Sequence, residues 1–437
     1  MHKRVVFAIL LTSILGVESV WAFQPPPFPR IGAFVTGSPQ NYDDQTYHTR
    51  IARTSVAVFS YWPGWEHGRS MTFEKMLQNL KRANPNIETF IYEETDAIGQ
   101  SVSASGYLQP VWNKIKSMNW FLYRTGTSGD PVASFFQGGG GPFFQINNTL
   151  FAPKDAHGLR WIDWYAQWAV TSYVKPNPSL DGLFTDNVFW RPRADGDWNL
   201  DGVTDYHTDP AVQKWFREGY AAYFADLRTL MPGKYQIGNV GTLGDSNAVF
   251  PELDQTLNGG FMEGLIGYSW SVETWGGWKT MMNSYRQIMK ALAPPKLGMF
   301  AQVGKPTDYQ AMRYGLTSCL MDDGYFTFNG SESYNDVPWF DEYDAKLGQA
   351  TTGPPLTPWQ KGIYRRDFQN GIALVNPKGN GTQTVTLEAK FTKIAGSQAP
   401  SINDGHQVTS ITLQDRDGII LLRTRAVSQA SSAVTTR

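Results

Sequence analysis

The stretch Asp181–Trp190, reading DGLFTDNVFW, holds the residues best placed for chemistry. The apolar run Gly182-Leu183-Phe184-Thr185 leads directly into an acid, Asp186, and an amide, Asn187. A short apolar run bounded by glycine and polar residues predicts a buried strand. An acid just past such a strand stands at the rim of a sheet, where parallel α/β folds keep their reacting groups. The pattern recurs at Gly260-Phe261-Met262, which runs into Glu263. Two carboxylates flanking one bond suit glycosidic hydrolysis. One protonates the leaving oxygen, and the other attacks the anomeric carbon or activates water. The acid needs a raised pKa, from burial or a nearby negative charge. Asp186 and Glu263 are the candidate catalytic pair. The structural alternatives are a loop-bracing or metal-binding acid at Asp186, and a buried acid paired with an arginine such as Arg286 at Glu263.

The elements that must position this pair alternate between short apolar runs and helical stripes. Strands are predicted at Ser55–Tyr61, Ile87–Glu93, Trp120–Arg124 and Gly182–Thr185. Four more are predicted at Tyr235–Asn239, Gly260–Glu263, Lys296–Gln302 and Gly324–Phe328. Helical stripes lie between them. Phe73, Met76, Leu77 and Leu80 share one face, as do Val212, Trp215, Phe216, Tyr220, Tyr223 and Leu227. Asp209 caps the latter helix and Pro210 opens its first turn. Eight strands with crossover helices predict an α/β fold, a (β/α)8 TIM barrel over residues 23–350. Asp186 then ends the fourth strand and Glu263 the sixth, on one face. No Gly-rich nucleotide turn follows the first strand, which disfavours an open doubly wound sheet. From residue 351 the pattern changes to short alternating runs and turn clusters. These predict a small antiparallel β-sandwich over 351–425, followed by a Ser/Ala/Thr-rich disordered tail over 426–437.

Other strand ends supply candidate substrate contacts. Glu93, with Glu94 beside it, follows the second predicted strand, where an acid suits a sugar hydroxyl. Tyr61, Trp62, Trp190, Trp270 and Tyr325 lie at or near strand ends, where rings stack on sugar faces or simply pack. Asn187 completes the set. The loop Asp195–Asp209 contains Asp197-x-Asn199-x-Asp201-Gly202, with Val203 and Asp205 at the next oxygen-donating positions of an EF-hand-type loop. The twelfth position is Thr208, where a bidentate acid is expected. A structural Ca²⁺ held by Asp197, Asn199, Asp201, Val203 and Asp205 is expected, against the alternative of an acidic turn-rich loop. No cofactor is required for the reaction.

Composition narrows the partners. Formal net charge is −1 over 437 residues, so no basic field points to nucleic acid or an anionic membrane. Aromatic content is high, with 16 Trp, 20 Tyr and 25 Phe, which serves a large core and sugar stacking alike. His2, Lys3 and Arg4, the apolar stretch Val5–Val17 and Val20-Trp21-Ala22 read as a secretory signal over residues 1–22. That stretch is too short to span a bilayer comfortably. A single cysteine, Cys319, excludes an intrachain disulfide. Together these predict a secreted or periplasmic bacterial protein, monomeric or weakly oligomeric, with no stable membrane insertion once the signal is removed.

DGLFTDN, the DGDWNLDG loop and GGFMEG, with a signal and a C-terminal β-domain, resemble the family called hypothetical glycosyl hydrolase family 15. The resemblance covers about Ser55 to Phe340. More distantly, the chain is similar to the α-galactosidase clan, which implies Asp186 as nucleophile and Glu263 as acid/base. That clan uses Asp at the second position, so Glu263 departs from its pattern. The resemblance implies an exported glycoside hydrolase acting on an oligo- or polysaccharide. The alternatives are a non-catalytic carbohydrate-binding protein on a degenerate barrel and a polysaccharide-assembly scaffold.

Overall fold

The computed structural model describes residues 23–36, 43–60, 70–103, 106–137, 141–241, 250–331 and 333–424. The chain opens with β1 (Gly32–Val35), α1 (Gln45–Ile51), β2 (Val56–Phe59), α2 (Phe73–Ala83) and β3 (Glu88–Glu94). An excursion follows. It pairs β4 (Ala97–Gly99) with β5 (Phe143–Gln145), places α3 (Gln109–Met118) between them, and ends in α4 (Trp161–Ala169). Next come β6 (Gly182–Asp186), α5 (Pro210–Leu230), β7 (Tyr235–Asn239) and β8 (Gly259–Ile266). Then α6 (Val272–Ala291), β9 (Leu297–Val303), α7 (Tyr309–Cys319) and β10 (Tyr325–Asn329) complete this unit.

Eight strands form one parallel sheet in the order β1-β2-β3-β6-β7-β8-β9-β10. The sheet curls until β10 meets β1. Phe326 N–H donates to Arg30 O at 2.8 Å, and Asn329 Nδ2 donates to Phe34 O at 3.0 Å. The chain is therefore a TIM barrel. Its interior is filled by Phe34, Val56, Val58, Phe90, Phe184, Ile237, Phe261, Leu297 and Met299. Inward and outward residues alternate along each strand, because successive side chains point to opposite faces. The helices cover the outside with the predicted stripes: Phe73, Met76, Leu77 and Leu80 of α2 are buried. Asp209 caps α5 by accepting from Ala211 N–H at 2.8 Å.

Two strand assignments differ from the sequence reading. The first barrel strand is Gly32–Val35, a four-residue run too short to stand out beside its proline-rich leader. Trp120–Arg124 is not a barrel strand. Phe121 and Tyr123 make only isolated antiparallel bridges, to Ile146 and Pro131, within the excursion. An apolar run reads alike whether it joins the main sheet or a buried side layer. The two differences cancel in the count, so β6 is still the fourth barrel strand and β8 the sixth.

Beyond the barrel, β11 (Tyr364–Phe368), β12 (Gly371–Asn376), β13 (Gln383–Lys393), β14 (Gln407–Leu413) and β15 (Asp417–Arg423) form an antiparallel sheet. One face of β12 and β15, with Ala373, Val375 and Ile420, joins the barrel's core. The other face, with Ile372, Leu374, Ile419 and Leu421, packs against Val385, Leu387, Ile411 and Leu413 of β13 and β14. The result is a small β-sandwich, whose β15 docks on α7 through Arg313 and Asp417.

Candidate active site

The C-terminal ends of the barrel strands surround a cleft of about 750 Å³. Asp186, Asn187, Glu94, Asn239, Glu263, Tyr92, Tyr334, Arg193 and Trp270 are among its lining residues. Asp186 is the last residue of β6 and Glu263 lies within β8, so both predicted acids reach one cleft. The residue after each has left-handed backbone: Asn187 has φ 55° and Gly264 has φ 78°. These turns end the regular strand path and bend the chain at the rim. At Gly264 a side chain is excluded for a second reason, since a Cβ would lie 2.1 Å from the Trp270 ring.

Each acid is held by several donors. Tyr92 OH donates to Asp186 Oδ2 at 2.5 Å, and Asn187 N–H donates to Oδ1 at 2.9 Å. Asn239, on the strand between the two acids, also acts on the Asp186 carboxyl. Burial pushes Asp186 above the usual aspartate range, and these donors oppose the shift. Glu263 Oε2 accepts from Asn239 Nδ2 at 2.8 Å, and Oε1 accepts from Tyr334 OH. The Tyr334 hydroxyl lies 3.0 Å from that of Tyr268. Asn239 therefore donates to Glu263 and acts on Asp186 as well. Arg286, the arginine named for the structural alternative at Glu263, donates to Pro355 O at 2.6 Å.

A second acidic pair stands behind Asp186. Asn187 Nδ2 donates to Glu94 Oε1 at 3.0 Å and to Asp96 Oδ1 at 3.3 Å. Burial, then the charge of Asp186, pushes Asp96 up to about 7. Burial, then Asp96, pushes Glu94 well up. Burial and the neighbouring acids thus push both carboxyls towards their protonated forms.

Several expected contacts lie elsewhere. Glu93 points out of the barrel, not into the cleft. It is 2 % exposed, and its Oε1 accepts from Thr185 Oγ1 at 2.5 Å and Tyr223 OH at 2.9 Å. On β3 the residues facing inward are Phe90, Tyr92 and Glu94, and a one-residue step along a strand reverses the face. Tyr325 begins β10 at the opposite end of the barrel and is a core residue, 1 % exposed. Trp190 stacks on Phe250 at 5.7 Å and is not among the residues lining the cleft. Trp270 does line it, and is 52 % exposed. Tyr61 and Trp62 fall outside the described residues. Tyr92, Asn239 and Tyr334 were missed. Tyr92 is two residues before Glu94, so strand register could have found it. Asn239 ends a predicted strand, but an amide carries no acid–base signal of its own. Tyr334 sits in an irregular loop with no periodic signal.

The Asp197 loop is closed by its own hydrogen bonds. Asp197 accepts from Gly126, Asp201 and Gly202 N–H at 2.6–3.0 Å. Asn199 Oδ1 accepts from Asp201 N–H, Asp201 Oδ1 from Val203 N–H, and Asp205 Oδ2 from Trp198 N–H. Among the described residues, no group of three or more Asp, Glu, His or Cys side chains is gathered as a metal site.

The buried acids make stability depend on pH. Burial pushes Glu93 up to about 7, so it keeps its proton in the folded chain where the unfolded chain has lost it. Stability contributed this way is full below about pH 4, falls as pH rises towards 7, and is gone above. Glu93 alone accounts for about 3 kcal/mol, and Asp96 acts in the same direction. Urea melts at pH 5 and pH 8 should show lower stability at pH 8, with a smaller difference in Glu93→Gln. Equal stability at both pH values would refute the assignment.

A parallel barrel with two carboxylates in the cleft at its strand ends points to a class: a barrel glycoside hydrolase. The chain belongs to the hypothetical glycosyl hydrolase family 15, whose model matches residues 81–372, more than half of its length. No curated protein matches it. The glycoside hydrolase domain of PelA from Pseudomonas aeruginosa is 12% identical. Its match covers 72% of this chain and 98% of that one, at a TM-score of 0.42. The acarbose-soaked debranching enzyme of Nostoc punctiforme is 11% identical, covering 91% and 100%, at 0.46. The cyclic α-maltosyl-(1→6)-maltose hydrolase of Arthrobacter globiformis is 9% identical, covering 90% and 99%, at 0.48. Likenesses at this level carry no substrate or mechanism to this chain. Among the described residues, no helix is long and apolar enough to cross a membrane.

Proposed function

We propose that this chain hydrolyses O-glycosidic bonds of an oligo- or polysaccharide by double displacement, with Asp186 as nucleophile and Glu263 as acid/base. The observation that carries the reading is the convergence of Asp186 and Glu263 on one cleft at the strand ends. Double displacement requires the two carboxyls to stand about 5–5.5 Å apart; a separation of about 6.5–9.5 Å would make the reaction inverting. The roles follow from the partners. Asp186 accepts from the Asn187 backbone N–H, which can only donate and so favours the ionised form. Glu263 meets the Tyr334 hydroxyl, which can donate or accept and so tolerates either protonation state.

In the first step Asp186 attacks the anomeric carbon while Glu263 gives its proton to the leaving oxygen. In the second, Glu263 takes a proton from water, and the water displaces Asp186. The Asn239 amide and the Tyr334 hydroxyl hold Glu263, and Tyr92 with the Asn187 backbone holds Asp186. Trp270, Phe135 and Phe136 in the cleft's lining offer rings for sugar faces. Screening a broad polysaccharide panel for reducing-end release, with Asp186→Asn as control, tests the reading. Glycan binding with no product from any member would favour a non-catalytic binding protein.

Two further expectations have their own tests. The D-x-N-x-D-G spacing supports Ca²⁺ at the Asp197 loop, while the self-satisfied oxygens oppose it. The melting temperature is expected to be the same in Ca²⁺ and in EGTA, and a rise of several degrees in Ca²⁺ would reinstate the ion. Export rests on residues 1–22, which lie outside the described residues. N-terminal sequencing of the protein from a bacterial host's periplasm or medium should begin near Phe23. Retention of residues 1–22 would refute it.

A further inference from the structure

A second chamber lies beside the cleft, behind the end of β3. Its volume is about 280 Å³, several times the roughly 30 Å³ a water molecule occupies in the liquid. Ile98, Val111, Phe143, Trp161 and Tyr165 give it largely apolar walls. Tyr92, Glu94 and Phe136 line both the chamber and the cleft. Phe136 is 50 % exposed and packs edge-on against Phe143 at 5.3 Å, forming a shared apolar lip. A Cβ at Gly99 would lie 3.0 Å from the Phe143 ring, so glycine lets that wall close.

Glu93 lines this chamber and takes no part in the proposed reaction. Its Oε1 is occupied by Thr185 and Tyr223, while Oε2 has no hydrogen-bond partner. Tyr165 acts on the carboxyl from the chamber wall, but not in hydrogen-bonding geometry to Oε2. A buried polar atom left unpaired is costly, which points to a ligand partner. The groups acting on Glu93 are Thr185 of β6, Tyr165 of α4, and Tyr220 and Tyr223 of α5, with the charge of Asp186 from the other face of β6. Tyr165 and Tyr223 are both pushed well above the usual tyrosine range, so they stay neutral. Burial raises Glu93 to about 7, which makes it an O–H donor in acid.

We propose that this chamber binds the acyl group of an acylated sugar, with its carbonyl oxygen on Glu93 and its methyl group among the apolar walls. The proposal rests on reading the adjoining cleft as a sugar site. A ligand carboxylate would be repelled by Glu94, Asp96 and Asp186, and a bare hydroxyl would leave the apolar walls unfilled. An N-acetyl or an O-acetyl group supplies the same carbonyl and methyl.

The test uses small acyl probes and needs no turnover, so its outcome is independent of the roles of Asp186 and Glu263. The full chain, ¹⁵N-labelled at tryptophan, is titrated with N-methylacetamide and with methyl acetate. The reporter is the Trp161 indole, which lines the chamber and donates to Thr95 O at 2.8 Å. At pH 6 at least one probe should shift its signal saturably. At pH 9 affinity should fall about tenfold or more, because an ionised carboxyl cannot donate. Glu93→Gln should bind at both pH values, since its amide donates throughout, and Val102→Trp should abolish binding by filling the space. A response to the amide alone assigns an N-acyl group, and to the ester alone an O-acyl group. No saturable shift with either probe at pH 6, or undiminished binding in Glu93→Leu, overturns the proposal. If Val102→Trp does not fold, the two Glu93 variants decide.

Discussion

Asp186→Asn is expected to lower kcat/KM on the true glycan by about 10⁴-fold, or about 5 kcal/mol of transition-state stabilisation. The substitution keeps the shape, and Tyr92 and Asn239 can still contact the oxygen that remains. What disappears is the charge that forms the glycosyl-enzyme bond. Glu263→Gln should cost a similar factor on a substrate with a poor leaving group, where protonation matters most. On an aryl glycoside with an acidic phenol, which leaves without help, Glu263→Gln should keep a fast first step and Asp186→Asn should not. That contrast separates the two roles. A fall of less than about tenfold in either variant on the natural substrate would remove that residue from the mechanism. The same contrast with the residues exchanged would reverse their roles. Circular dichroism and melting curves close to the parent's would show that the losses are chemical.

Asp417→Ala is expected to destabilise the protein by about 3–5 kcal/mol. Arg313 on α7 donates to both oxygens of Asp417 on β15 at 3.1 Å, and both side chains are 5 % exposed. Asp417 also accepts from Gly418 N–H at 2.7 Å, and Arg313 Nε donates to Gly418 O at 3.2 Å. Truncating the acid leaves a buried guanidinium short of its counter-ion, and such a charge has no water to turn to. Since whole domains are stable by only about 5–15 kcal/mol, this is a large share of the total. The double variant Arg313→Met/Asp417→Leu removes both charges and should recover most of the loss. Urea unfolding is the measurement. A cost below about 1 kcal/mol for Asp417→Ala would mean that the pair behaves like an exposed one and does not fasten the β-sandwich to the barrel.

The local strand-to-acid pattern was readable because it depends on neighbours in sequence. An apolar run followed by Asp186 or Glu263 specifies a strand and what stands at its end, whatever surrounds it. The barrel followed from the alternation of such runs with helical stripes, and it tolerated one missed strand, Gly32–Val35, and one false one, Trp120–Arg124. Glu93 shows where that logic stops. Its type and position suited a sugar contact, but a single step of register sends it to the outer face of β3 and leaves Glu94 in the cleft. The Asp197 loop shows a second limit: spacing alone does not say whether oxygens turn outward to an ion or inward to backbone amides.

What the sequence determined by itself is therefore the set of acids, the strand ends that carry them and the order of strands four and six. These depend on apolar periodicity and turn residues, which act over a few positions. What only the tertiary structure decided is which groups converge on those acids. Asn239 donates to Glu263 and acts on Asp186 from the strand between them, Tyr334 arrives from the loop after β10, and Asn187 ties Glu94 and Asp96 to the end of β6. Those contacts join residues far apart in the chain, and they exist only because the sheet closes on itself. Their energies come from burial and distance, and no local pattern encodes either.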